Sequence, residues 1–301
     1  VVYVNGQKAA RHTGGYLPFE ADITALVRDG ENELTVAVKD LSDTSYHARG
    51  KQRLDRGGMF YTAQSGIWQT VWMEIVPENY ITNIEAEPDL GRSVVRIRVS
   101  AAGNPGSGVH ANGRVAHTGA PSDEDGEESS QTGHPITIQI QQPGLYIDND
   151  SPESNNQPNH QSNQSNAQPM RSTSGITGKW IEIPIPDIMP WTCETPYLYF
   201  FTVTMGEDRA ESYFAMREFT IKKDGDGIPR ICLNGKVQFQ NGVLDQGYWP
   251  DGLYTAPSDE AMIFDITEMK KSGFNMVRKH IKIEPQRWYW HCDRLGLAVW
   301  Q

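Results

Sequence analysis

The sequence is poor in cysteine, in positive charge and in long apolar runs, and each shortage removes a class of function. Three cysteines in 301 residues, Cys193, Cys232 and Cys292, are odd in number, far apart and without a C-x-x-C spacing. That pattern speaks against a disulfide framework and against a zinc site, and buried thiols are the expectation. Lys and Arg total 27 against 38 Asp and Glu, a formal net charge of −11. The overall field therefore repels polyphosphate and anionic lipid, and no nucleic acid partner is expected. No stretch approaches the roughly 18 apolar residues of a membrane helix, so no membrane partner is expected either. A Walker loop, a G-x-G-x-x-G, a G-x-S-x-G elbow and an H-E-x-x-H are all missing, which leaves phosphate binding, serine hydrolysis and zinc proteolysis without a motif. Val1 is neither an initiator Met nor part of a charged and then apolar leader. The opening VVYVNGQ and the closing LAVWQ both read as mid-strand, so both ends are expected to be cut. The compartment is left open, with the cytoplasm slightly favoured.

What the chain does have is period-two alternation broken by turn signals. Val2 and Val4 run into Asn5-Gly6, a pair that tolerates the positive φ of a type I′ hairpin turn. Leu34, Val36 and Val38 alternate with polar neighbours. Ile67, Gln69, Val71, Met73 and Ile75 share one face of an expected strand, with Trp68, Thr70 and Trp72 on the other, and this two-sided apolar character suggests a sandwich. From about Glu78 to Lys223 a second β-rich block follows. Val95, Ile97 and Val99 oppose Arg96 and Arg98; Ile136, Ile138 and Ile140 form another strand, Ile181 and Ile183 another, and Tyr197 to Met205 a further one. Seven or so short strands fit an immunoglobulin-like sandwich. Within it, the acidic run Ser122 to Ser130 and the Ser/Asn/Gln/Pro-rich run Ser151 to Gly175 lack the apolar area to offset ordering entropy, and both are expected to be disordered loops.

After about Asp224 the period changes. Arg230 to Phe239 reads as a hairpin around Asn234-Gly235. Ser258 to Ser272 reads as a helix with Met262, Ile266 and Met269 on one face and Gly273 as its left-handed stop. Met276-Val277 begins a strand, Pro285 takes the first position of a second helix ended by Gly296, and Leu297 to Trp300 is an unbroken apolar run. This β-α-β-α-β order with non-alternating strands predicts a parallel sheet covered by helices. Its last strand is expected to need a following neighbour.

In parallel α/β architectures the working residues lie just past the carboxyl ends of strands. Two such places exist. One is the loop LDQGYWPDGLYT, with Asp245, Gln246, Tyr248, Trp249 and Asp251. The other holds Arg278, Lys279, His280, Lys282 and Glu284. Planar charged donors beside Trp and Tyr suit a neutral polyhydroxylated ligand, because hydroxyls take the hydrogen bonds and aromatic faces take the C–H patches. Asp245 and Asp251 equally suit plain turn residues beside Gly247 and Gly252, Arg278 a structural charge that neutralises a carboxylate inside a barrel, His280 a site-shaping wall residue, and Trp68 and Trp72 core or inter-domain packing.

Four stretches together resemble one family. GGYLPFEADITAL with SGIWQTVWMEI, PYLYFFTV with ESYFAMREFTI, LNGKVQFQNGVLDQGYWPD, and GFNMVRKHIKIEPQRWYWHCDRLGLAVW are similar, in this order, to glycoside hydrolase family 2, the group of β-galactosidases, β-glucuronidases and β-mannosidases. The resemblance implies a multidomain, mostly β architecture: a truncated jelly-roll, galactose-binding-like sandwich (1–77), an immunoglobulin-like β-sandwich with the insertion (78–223), and the start of a (β/α)8 TIM barrel (224–301). It implies retaining hydrolysis of a β-linked carbohydrate substrate, with the two catalytic Glu residues on barrel strands beyond Gln301, so that no catalytic residue falls within this chain. Arg278 matches the family's arginine at the end of the second barrel strand. Asp245-Gln246 stands where many members have His-Glu or His-Asp, and His280-Ile281-Lys282 where many have Ser-His-Tyr-Pro. Asp245, Gln246, Trp249, Arg278, His280 and Lys282 are thus the expected substrate-binding residues. No metal site and no organic cofactor are expected, a homo-oligomer is compatible with the reading, and the competing reading is a non-catalytic carbohydrate-binding or scaffold protein.

Overall fold

The computed structural model describes residues 1–103, 115–117, 133–146 and 169–301. Among the described residues the architecture is mostly β, with several separate sheets and two α-helices. At the N-terminus, β1 (Val2–Val4) pairs antiparallel with both β2 (Gln7–Ala10) and β3 (Leu34–Val36). The β1–β2 turn forms because Asn5 and Gly6 take φ of 51° and 78°, the left-handed values a type I′ turn needs. Farther on, β4 (Gln52–Arg53) and β5 (Tyr61–Thr62) pair in parallel.

The expected strand from Ile67 to Ile75 does not form: these residues join no ladder among the described residues. Alternation puts apolar side chains on one face, but a strand is defined by a hydrogen-bonded neighbour, and none lies alongside. Val71, Trp72, Met73 and Ile75 are accordingly exposed.

Two four-stranded sheets then pack face to face. One has the order β11-β7-β6-β8, from β6 (Tyr80–Asp89), β7 (Val94–Ala102), β8 (Val115–His117) and β11 (Trp180–Pro184). The other is β10-β9-β12-β13, from β9 (Pro135–Ile140), β10 (Arg171–Ile176), β12 (Tyr199–Met205) and β13 (Asp208–Phe214). Period two directs Val95, Ile97 and Val99 against Ile136, Ile138, Ile140, Phe201 and Val203 in one buried cluster. Each such side chain contributes about 1.5–3 kcal/mol by leaving water. Arg96 and Arg98 face outward and pair with Glu87 and Glu85. Asp208 accepts the Ile81 amide at 2.7 Å inside the sandwich.

Strand β10 corrects the last residues of the expected disordered loop from Ser151 to Gly175, from Arg171 onward. The strand pairs residue for residue with β9, from Arg171 opposite Ile140 to Ile176 opposite Pro135. A low apolar content does not prevent an edge strand from forming when a neighbouring strand offers its open hydrogen-bonding side. Residues 151–168 and the acidic run 122–130 lie outside the described residues.

A hairpin sheet follows from β14 (Phe219–Lys223), β15 (Pro229–Leu233) and β16 (Lys236–Val237), with Asn234 and Gly235 again at positive φ in the turn. The chain then alternates β17 (Gly242–Asp245), α1 (Asp259–Lys271), β18 (Met276–Lys279), α2 (Gln286–Leu295) and β19 (Ala298–Trp300). The three strands form the parallel sheet β17-β18-β19. Ser258 caps α1 by accepting the Ala261 amide, and Gly296 ends α2 in the left-handed region. Pro285 sits at the N-cap of α2 rather than its first helical position. Met262, Ile266, Val277, Trp288 and Cys292 share the core between sheet and helices. All three cysteines are free and buried.

Two joints tie this unit to the sandwich. Asp293 on α2 accepts from Arg217 at 2.6 Å and from Tyr213 at 3.0 Å, and its carbonyl accepts from the Trp191 indole. Lys270 on α1 donates to the carbonyls of Cys193 and Gly296 at 2.5 and 2.9 Å.

Candidate functional site

Parallel pairing brings the carboxyl ends of β17 and β18 side by side, with Leu244 opposite Arg278 and Asp245 opposite Lys279. Alternation then divides these residues between the two faces of the sheet. Val243, Val277 and Val299 pack toward the helices, and Asp245 and Lys279 continue that face. Arg278 lies on the other face between Leu244 and Trp300, all three exposed. Among the described residues Arg278 makes no ion pair, so its guanidinium is available. His280, one residue past β18, is half-buried, and its amide donates to the Asp245 carbonyl at 2.8 Å.

The helix-side groups form a closed charged network. Lys279 and Lys282 are each 2 % exposed and Glu284 is 6 % exposed. The Lys279 ammonium meets Asp245 Oδ2 at 2.5 Å and Glu284 Oε1 at 2.8 Å, 4.2 Å from the Trp288 ring centre. Lys282 donates to the carbonyls of Gly247 and Tyr254 at 2.6 and 2.8 Å and pairs with Glu284 Oε2 at 3.1 Å. Its three hydrogens are thereby all used. Burial pushes the Lys282 pKa down, partly opposed by Glu284. Asp265 on α1 has its pKa raised by burial and, secondarily, by the charge of Asp245. Burial also raises Tyr289, to about 12, and the Tyr289 hydroxyl accepts the Glu284 amide.

Two backbone features make the network possible. Gly247, at φ +60°, leaves room that a Cβ would take from Glu284 Oε1, 2.1 Å away, and from Lys282. Ile281 adopts φ 49°, which is costly for a β-branched residue. This turn is what sends Lys282 back inward instead of toward solvent. Gln246 reaches a buried place where its side-chain oxygen has no hydrogen-bond partner among the described residues.

The N-terminal segment closes over the same loop. Tyr61 stacks on Tyr248 at 4.1 Å, Trp68 packs 5.0 Å from Tyr254, and the Tyr16 and Tyr254 hydroxyls are 2.6 Å apart. Gln64 Oε1 accepts the Tyr254 amide at 2.7 Å, and Thr255 donates to the Trp68 carbonyl at 2.9 Å. Trp68 is therefore a packing residue between segments. Sequence reasoning had no signal for the roles of Gln64 and Tyr254, because their partners lie far away along the chain.

The six expected binding residues are not all brought to one surface. Asp245 and Lys282 join the buried network; Trp249 packs against the core beneath α1; Arg278 is exposed on the opposite face. Asp251 holds its own turn by accepting the Gly252 amide. No group of three or more His, Cys, Asp or Glu able to hold a metal occurs among the described residues, and no described helix is long and apolar enough to cross a membrane.

Residues 1–77 match the family model described as the sugar binding domain of glycosyl hydrolases family 2. A β-galactosidase of Lactococcus lactis is 25% identical over 299 residues, covering 99% of this chain and 24% of that protein. A β-galactosidase of Enterobacter cloacae is 28% identical over 316 residues, covering 99% and 25%. The chain thus spans about a quarter of the length of these curated relatives. Among solved structures, a Bacteroides uniformis β-glucuronidase superposes with TM-score 0.66 at 19% identity, over 100% of this chain and 32% of that one. A Ruminococcus gnavus β-glucuronidase in complex with D-glucuronic acid gives 0.64 at 17%, over 99% and 44%. The first 77 residues thus match a domain model of glycosyl hydrolases family 2, and over nearly its whole length the chain is similar to β-galactosidases.

Proposed function

We propose that this chain is part of a retaining β-glycosidase that hydrolyses O-glycosidic bonds of β-linked sugars, with a β-galactosidase-like substrate. In this reading residues 1–77 are a jelly-roll sugar-binding-like domain, 78–223 an immunoglobulin-like sandwich, and 224–301 the opening of a (β/α)8 barrel. The observation that carries it is collinearity: β-galactosidases align with 99% of this chain, sandwich and parallel unit included, and not with the first 77 residues alone. A binding module shared between unrelated proteins would give only a partial match.

Retaining hydrolysis uses one carboxylic acid to protonate the leaving oxygen and one carboxylate to attack the anomeric carbon, the two about 5–5.5 Å apart. We place that pair on barrel strands outside residues 1–301. This chain supplies the wall of the sugar pocket: Arg278 and His280 toward the ligand, Asp245 and Gln246 at its lip, Trp249 supporting the lip from below, and Lys282 holding it from inside. Carbohydrate is the proposed ligand, and self-association into a homo-oligomer remains part of the proposal.

The test is to incubate the full-length protein with aryl β-galactosides, β-glucuronides, β-glucosides and β-mannosides and follow the product by proton NMR. The β-anomer of the released sugar appearing first supports retention. Appearance of the α-anomer first, or no turnover of any β-glycoside, overturns the reading.

A further inference from the structure

An unbroken hydrogen-bonded chain leads from the N-terminal segment to Asp245. The Arg49 carbonyl accepts from the Gln52 side-chain amide at 2.9 Å, and Gln52 Oε1 accepts the Gln64 amide at 2.7 Å. Gln64 Oε1 in turn accepts the Tyr254 amide at 2.7 Å. The Tyr254 carbonyl accepts from Lys282, Lys282 pairs with Glu284, Glu284 with Lys279, and Lys279 with Asp245. Asp245 Oδ1 finally accepts the Gly247 amide at 2.7 Å, and the Gly247 carbonyl returns to Lys282. Most side chains in this chain are buried, where polar contacts cannot be exchanged for water without leaving a partner unsatisfied. The approach is also close: a Cβ on Gly50 would meet the Tyr254 hydroxyl oxygen at 2.7 Å and the Ile281 carbonyl at 3.0 Å.

We propose that Lys282 is a positioning residue, the junction through which the docked N-terminal segment sets the place of Asp245 and of the loop from Gly247 to Tyr254. Two contacts of Lys282 are to that loop's backbone, at its first and last residues, so the ammonium fixes the loop's span. Gln64 fixes the same end of the loop from the other side. The N-terminal segment is then a structural component of the loop rather than an independent module, and the coupling runs both ways. Its bearing on catalysis rests on the glycosidase reading above; the coupling itself does not.

Hydrogen exchange on the full-length protein tests the coupling, with Gln64→Met and Lys282→Met as variants. Gln64→Met removes one acceptor on the N-terminal side and leaves the parallel unit's own core intact. It is expected to speed exchange of the Gly247 amide, at the far end of the chain of contacts, by about 10-fold, as for a local opening made easier. Lys282→Met is expected to speed exchange of the Gln64 amide in the same way. Amides of β9 and β12 serve as the control for folding and stay unchanged. If Gln64→Met alters Tyr254 alone and leaves Gly247 at its original rate, the proposal is overturned. If Lys282→Met fails to fold, the Gln64→Met result alone decides. A kinetic arm uses whichever aryl β-glycoside the unaltered protein turns over. The two substitutions combined are expected to lower kcat/KM no further than Lys282→Met alone, since both act through one junction; independent, multiplying losses overturn the proposal. If no glycoside is turned over, the glycosidase reading fails while the exchange result still stands on its own.

Discussion

At the scale of single residues, three cations near the end of β18 have different surroundings. Arg278 is exposed on the open face of the sheet with no counter-ion among the described residues, whereas Lys279 and Lys282 spend their charges inside. On the glycosidase reading, Arg278→Ala in the full-length protein is expected to lower kcat/KM by roughly 10-fold or more, the worth of one charge-assisted hydrogen bond to substrate, with little change in unfolding midpoint. Steady-state kinetics and urea unfolding check the two halves, and unchanged kinetics would return Arg278 to a structural role. Asp265 makes a prediction in pH. Burial, then the Asp245 charge, raises its pKa above the ordinary 3.8, so between 3.8 and the raised value the folded state holds more protons than the unfolded one. Its contribution to stability is complete below the ordinary value and is lost as pH rises through the raised one. Asp265→Asn carries no such titration. It is expected to gain on the unaltered protein as pH rises through that window, and then hold a constant difference toward neutrality. Urea midpoints measured from pH 3 to 7 read this directly, and parallel curves would refute it.

At the scale of elements, strand β10 shows what composition conceals. Gly175 stands opposite Ile136 on this edge, and a Cβ there would fall 2.2 Å from Ile181 Cδ1 of the facing sheet. Gly175→Ala is therefore expected to destabilise the sandwich by about 1–3 kcal/mol through overpacking, measurable as a lower urea midpoint. A neutral substitution would show that the Ile181 side chain can turn aside. The residue's placement explains why this strand escaped sequence reading: its role is to let the sheets approach, and a missing side chain has no periodicity. Elements whose logic is local were legible. Asn5-Gly6 and Asn234-Gly235 announce their turns through φ, and Ser258 and Gly273 bracket α1. Val95, Ile97 and Val99 announce a buried face. The segment from Ile67 to Ile75 has the same alternation without a paired strand among the described residues, and pairing is a property of two segments that one cannot reveal. In the candidate site, residue types at strand ends were legible. Their division between the two sheet faces, and the inward turn of Lys282 at Ile281, depend on backbone geometry that spacing does not carry.

At the scale of the whole molecule, the acids of residues 1–301 decide whether this stretch can act alone. Asp245 and Glu284 grip the same ammonium at 2.5 and 2.8 Å, so their carboxylates lie close to one another, as a retaining pair's do. Proximity is not enough, because the Lys279 ammonium occupies the place a glycosidic bond would need. Glu284 carries a second ion pair to Lys282 and is 6 % exposed, which leaves no path for substrate. Both carboxylates are turned onto buried ammonium groups rather than toward a space that a sugar could enter. Asp251 is engaged with the Gly252 amide. Positioned carboxyl groups supply much of the barrier reduction in such a reaction, and none of these three can be positioned across a sugar. Purified residues 1–301 are therefore expected to show no turnover of aryl β-galactosides, glucuronides, glucosides or mannosides above background, while the full-length protein turns over at least one. Turnover by the 301-residue chain that disappears with Glu284→Gln would mean that the network opens to admit substrate, and that the catalytic pair lies within this stretch after all.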